Sequence, residues 1–209
     1  MQVVTGPRPN EGATIDLLPV SSISPDGTSG FVLAFNLGQA PVPSRKYAAD
    51  FSGFLQRNGT NYILFGQDRV GTSTTLRSLL SIRITSRALH SFVKSLSTMG
   101  EGKDAMGPSL EVVLRNIKEK PEKPRDVVEE PQQTVAFDAN IIAVAVSDEE
   151  ACLDLYHTSA FSIAHAKSSR KIAVEPVVRV TIRTAQLYGL YLRLKDADEK
   201  IVQEIGAEA

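Results

Sequence analysis

The stretch "SIRITSRALHSFVKSL" (Ser81–Leu96) changes its period in the middle. Up to Thr85, apolar Ile82 and Ile84 alternate with polar Ser81 and Arg83, the pattern of a strand with one buried face. From Arg87 onward, Ala88, Leu89, Phe92, Val93 and Leu96 fall on one face of a helix. Ser86 stands between the two patterns as the expected N-cap, and Gly100 is placed to end the helix. The same switch returns in "RVTIRTAQLYGLYLRL" (Arg179–Leu194). There Val180 and Ile182 precede a capping Thr184, and Leu187, Leu190, Tyr191 and Leu194 follow it.

Upstream of each switch lies a run of strand signals. "FSGFLQ" and "NYILFG" flank "RNGT", whose Asn-Gly pair tolerates the positive φ of a tight hairpin. "NIIAVAV" and "ACLDLY" flank the turn "SDEE"; "AFSIAHA" reads as a continuation of the sheet, followed by the polar "KSSRK". An offset of 90 places Phe51 on Ile141, Asn58 on Asp148 and Phe65 on Leu155. An offset of 98 places Ile82 on Val180, Ser86 on Thr184 and Leu96 on Leu194. The difference falls in the loop between the matched blocks, where insertion costs least.

The expected fold is therefore α+β: two tandem antiparallel β-meander-plus-helix units, 47–99 and 134–209, packed as a pseudo-twofold pair. A Pro/Gly-rich arm (1–46) precedes them, with "TIDLLPV" and "GFVLAFNLG" as its strand candidates. A linker (100–133) joins them. Inside it, Leu110, Val113, Leu114 and Ile117 have the spacing of a short amphipathic helix.

Each unit resembles a short bacterial domain family of unknown function. The likeness rests on a strand of the type "CLDLY" (Cys152–Tyr156), an Arg-bearing strand like "VVRVTI" (Val177–Ile182) and a terminal amphipathic helix. The second unit is the closer match, since "YILFG" in the first lacks the acidic residue found at Asp154. The resemblance implies the meander-plus-helix fold and no catalytic residue.

The chain has 209 residues, 42% of them hydrophobic, with no Trp, so its core rests on Leu, Ile, Val and Ala. Net charge is −1, which gives no overall pull toward nucleic acid or an anionic membrane. One cysteine, Cys152, rules out an internal disulfide framework. The start "MQVVTGPRPNEG" has no basic region followed by an apolar run, and nowhere does an apolar run reach membrane-spanning length. A cytoplasmic protein is the expectation.

Catalytic signals are lacking. Cys152, His157 and His165 form C-x4-H-x7-H, no common zinc spacing, and strand parity sends Cys152 and His157 to opposite faces. "GTSTT" (Gly71–Thr75) lacks the Gly-Lys-Ser/Thr of a phosphate loop, and no nucleophile elbow is present. No catalytic residue, metal or cofactor is expected. The favoured function is a non-enzymatic protein-interaction or structural assembly component of a bacterial or phage complex, with an adaptor or chaperone-like binder as a variant, acting with a protein partner or as a homo-oligomer. Its expected interface is Phe31, Leu33 and Phe35 of the arm, with the helical stripe Leu187, Leu190, Leu194, Ile201 and Ile205; packing of that stripe within the chain is the equal alternative, with Leu187, Leu190 and Leu194 joining Leu89, Phe92 and Leu96 as core residues. The alternative is a DNA-binding regulator resembling the ribbon-helix-helix type. It would use Arg77, Arg83 and Arg87 near the first strand-to-helix switch and Lys167, Arg170 and Lys171 in the basic turn.

Overall fold

The computed structural model describes residues 13–23, 29–68, 75–101, 126–128 and 134–207. The strands of the first part are β1 (Ala13–Ile23), β2 (Ser29–Phe35), β3 (Lys46–Ala48), β4 (Phe51–Arg57), β5 (Thr60–Asp68) and β6 (Thr75–Ile84), followed by helix α1 (Ser86–Glu101). Then come β7 (Asp126–Val128), β8 (Val135–Ala139), β9 (Ile141–Val146), β10 (Glu150–His157), helix α2 (Ala160–Ser169), β11 (Lys171–Arg183) and helix α3 (Thr184–Ala207). The class is α+β with two largely antiparallel sheets.

One sheet runs β4-β5-β6-β7 with β8 also on β6; the other runs β2-β1-β11-β10-β9 with β3 also on β11. Each sheet thus borrows a strand. β3 leads directly into β4, yet pairs in parallel with β11 of the other sheet. β8 leads directly into β9, yet pairs in parallel with β6.

The registers follow the two sequence offsets. Tyr47 faces Val180, and at the corresponding place Phe137 faces Ile82. The β5–β6 ladder slips between Phe65 and Gly66, and the β10–β11 ladder slips between Leu155 and Tyr156, one offset of 90 later. At each crossing one residue ties the sheets. Asp50 N–H donates to Gly66 O (2.7 Å) and its carboxylate accepts from Asp68 N (3.1 Å). Asn140 N–H donates to Tyr156 O (3.0 Å) and its Oδ1 accepts from Thr158 N (2.9 Å).

Local chemistry accounts for the elements. Asn58 and Gly59 take positive φ (51° and 71°), the twist a two-residue hairpin needs. The leucines at the centre of the helix stripes bury completely: Leu89, Leu187, Leu190 and Leu194 are 0% exposed. With Ile63, Phe65, Ile82, Leu153, Leu155 and Val180 they form one cluster that takes side chains from both sheets. α3 packs on β4 and α1 on β9, so each helix crosses to the opposite half. The bulge in β11 turns its first part over. Ile172 and Val174 enter a second, smaller core with Ile15 and Leu17 of β1, Tyr156 and Ala166, whereas Val178, Val180 and Ile182 face the main one.

Three local expectations are corrected. Ala160–Ser169 is a helix, not a further strand; Ser159 Oγ accepts from Ser162 N at its start, and Arg170 in left-handed conformation ends it. The cap of α1 is Thr85, whose Oγ1 accepts from Ala88 N (3.2 Å); Ser86 Oγ instead accepts from Asn61 Nδ2. Thr184 does not act through an accepting oxygen: its hydroxyl donates to Ser147 O and its N–H to Glu149 O, tying α3 to the β9–β10 turn. The expected helix around Leu110–Ile117 lies outside the described residues.

Candidate functional site

The chemistry-bearing side chains gather at three places. On the outer face of the second sheet, Asp154 on β10 stands directly across from Arg179 on β11. The guanidinium clasps the carboxylate with two bonds of 2.6 Å, and the side chains keep 28% and 14% of their exposure. Those bonds raise the pKa of Arg179. Tyr156 Oη donates to the same carboxylate, and burial together with Asp154 pushes its phenol up to about 12. Burial pushes the neighbouring Cys152 thiol up as well, which leaves it neutral and a poor nucleophile. The group is a closed ion pair with aromatic and thiol neighbours, not an activated nucleophile.

The second place is the crossing of β8 into β9. Two adjoining clefts of about 310 and 440 Å³ share Asp138 and His157. Arg83 holds Asp138 with bonds of 2.5 and 2.7 Å, and these bonds raise the pKa of Arg83. Arg45 lies over the ring of Phe137 at 5.3 Å, and Glu175 faces His157 across the ladder. Two arginines balance two carboxylates, so the clefts offer no net attraction to an anion. In the other half Gln67, equivalent to His157, donates to Ala48 O at 3.0 Å.

Third, His90 Nδ1 on α1 meets the carboxylate of Asp198 on α3 at 2.9 Å, pinning the helices together. Among the described residues no group of three His, Cys, Asp or Glu converges as a metal site. Among them, too, no helix is long and apolar enough to cross a membrane.

The sequence-derived interface residues scatter. Leu187, Leu190 and Leu194 are spent inside the chain's own core, because α3 lies across β4, and they have no surface left for a partner. Phe31 and Leu33 pair with Ser21 and Pro19 of β1, and their side chains, like those of Ile201 and Ile205, lie outside the described residues. Phe35 keeps 38% of its surface. On the basic side, Arg83 is committed to Asp138, and Arg77 and Arg83 sit on a strand flanked by β5 on one side and by β7 and β8 on the other. That strand is no free ribbon. Arg87, Lys167, Arg170 and Lys171 are exposed, the last three where α2 ends and β11 begins.

Sequence reasoning missed Asp154–Arg179 and Arg83–Asp138, whose partners lie on different strands; only strand pairing brings them together. It also missed α2, whose Phe161 is 81% exposed and Ile163 42%.

The two ion pairs should differ in weight. Asp154→Ala strips a partly buried arginine of its charged acceptor and is expected to cost about 2–3 kcal/mol. Asp138→Ala at the solvent-exposed pair is expected to cost far less, because water screens that pair. Urea midpoints at pH 7 check this, and equal losses would contradict it.

Comparison with known proteins finds no match: no family model, no curated protein and no solved structure matches the chain.

Proposed function

We propose that this chain is a non-enzymatic protein-interaction component, one that docks into an assembly or onto a protein partner in the cytoplasm. The observation that carries the reading is α2. This ten-residue helix buries only Ala166 and turns Phe161, at 81% exposure, and Ile163 outward. Phe161 forgoes the free energy of burial, and with Ile163 on the same helix it offers an apolar contact to a partner. The side-chain chemistry agrees. Cys152 is kept neutral, Asp154 is spent on Arg179, and the Arg/Asp/Glu clefts are charge-balanced.

Size-exclusion chromatography with light scattering, at low and high salt, tests the reading on the intact chain. A salt-resistant oligomer is expected, and F161D with I163D should shift it to monomer without changing its circular dichroism. A chain that stays monomeric and draws no protein from its native extract would remove the support. A chain that elutes with nucleic acid, released by salt, would favour the DNA-binding alternative through Lys167, Arg170 and Lys171.

A further inference from the structure

The two halves treat one corresponding feature differently. β4 and β9 hold the same place, each the outermost strand of its meander and an edge of its sheet. An edge strand carries a row of N–H and C=O groups with no strand beyond it, which proteins ordinarily cover or guard with charge. β4 is covered. Arg193 on α3 reaches over to donate to Ser52 O (2.8 Å), and Ser52 Oγ donates to Gln186 O (3.3 Å). β4 also ends on Gln56 and Arg57.

Among the described residues β9 has none of this. The residue equivalent to Arg193 is Ser95, and its hydroxyl turns back to Ser91 O of its own helix (2.9 Å). Ser52 corresponds to Ile142, which has no hydroxyl to reach the helix. Among the described residues β9 pairs only with β10, and no side chain bonds its backbone. Its sequence, Ile-Ile-Ala-Val-Ala-Val, has no charge, Pro or Gly. Charge lies just beyond its end instead. The turn Ser147–Glu150 is closed by Ser147 N to Glu150 O (2.8 Å), and it presents Asp148 and Glu149 to solvent. Glu150 faces Arg183 across the ladder, whereas Asp148 and Glu149 have no ion-pair partner among the described residues.

We propose that the β9 edge is a strand-accepting site for an extended segment of a partner protein: apolar residues at alternate positions, preceded by lysine or arginine. The backbone of β9 supplies the hydrogen bonds. Antiparallel addition continues the meander and brings the first residues of the incoming segment to the acidic turn, where a basic residue meets Asp148 and Glu149. A second copy of this chain is a poorer occupant. Its own β9 is uncharged and preceded by Asp138 and Asn140, so it brings no cation to either turn. The proposal rests on the interaction reading above and names the partner class for it.

The test uses the full chain and two fluorescent peptides, each of alternating valine and threonine, one preceded by two lysines and the other by two glutamates. Fluorescence anisotropy is expected to show binding of the basic peptide and at least ~10-fold weaker binding of the acidic one, a difference of about 1.4 kcal/mol. Ser95→Arg, which rebuilds the Arg193 cover at an exposed helix position, should weaken the basic peptide by at least a similar factor. Asp148→Asn with Glu149→Gln should erase the preference between peptides, with the circular dichroism of both variants unchanged. Equal binding to wild type and Ser95→Arg overturns the site. So does an oligomer that Ser95→Arg abolishes in a chain that binds neither peptide, which would mean self-pairing. If the peptides fail to bind while F161D with I163D still dissolves an oligomer, the edge assignment falls and the interaction reading stands. If both fail, both fall.

Discussion

Leu89→Ala and Leu187→Ala are each expected to lower the free energy of unfolding by ~2–5 kcal/mol. Both leucines are 0% exposed, and they occupy corresponding places on α1 and α3. Each deletion leaves a cavity in one cluster that takes side chains from both sheets and both helices. The sharper expectation is that both substitutions move the same transition. Far-ultraviolet circular dichroism and tyrosine fluorescence, followed through urea, should give one coincident midpoint in the wild type and in each variant. Two resolved transitions, one lowered by each variant, would mean two separate cores and would refute the shared packing.

Gly66→Ala is expected to be as damaging, at about 3 kcal/mol or more. A Cβ at this position would fall inside contact distance of both the Phe51 ring and the Arg77 carbonyl oxygen. The ring could turn, but the carbonyl belongs to the neighbouring strand, and moving it opens the β5–β6 ladder. The second half solves the same packing problem in reverse. Phe51 faces Gly66, whereas Ile141 faces Tyr156, so the large ring sits on the opposite strand. Gly53→Ala is the control, because its Cβ would sit 4.0 Å from Leu64 Cβ and fit. Thermal melts of the two variants should separate widely; a Gly66→Ala midpoint within a degree or two of wild type would contradict the close approach.

What could be read from the residues alone was what repeats at short range. The Asn58-Gly59 hairpin, the alternation of Ile82 and Ile84, and the stripe through Leu89, Phe92 and Leu96 are each written within a dozen residues. α2 escaped because Phe161 and Ile163 alternate with Ser162 and Ala164 as a strand would, while its one buried residue, Ala166, gives no helical stripe. The borrowed strands escaped for another reason. β3 has three residues and β8 five, and nothing local marks a partner more than fifty positions away. The candidate surfaces depended on both. Leu187, Leu190 and Leu194 read equally as core and as a spare stripe, because the strand that covers them, β4, belongs to the other half. The edge of β9, bare among the described residues, could be recognised only by comparison with β4, once Arg193 was seen to reach Ser52.

The crossing of β3 and β8 sets a timetable for synthesis. Lys46 leaves the ribosome 133 residues before Arg179, the residue it lies beside in the finished sheet. At roughly 5–20 residues per second, that is a wait on the order of ten seconds. Through this interval the nascent first half holds a strand with no place to go, and β6 lacks the neighbour that β8 will supply. Two such chains on one messenger could each accept the other's late strand, because the pairing is the same whichever chain provides it. Pairs of chains joined by swapped strands are the hazard built into this exchange.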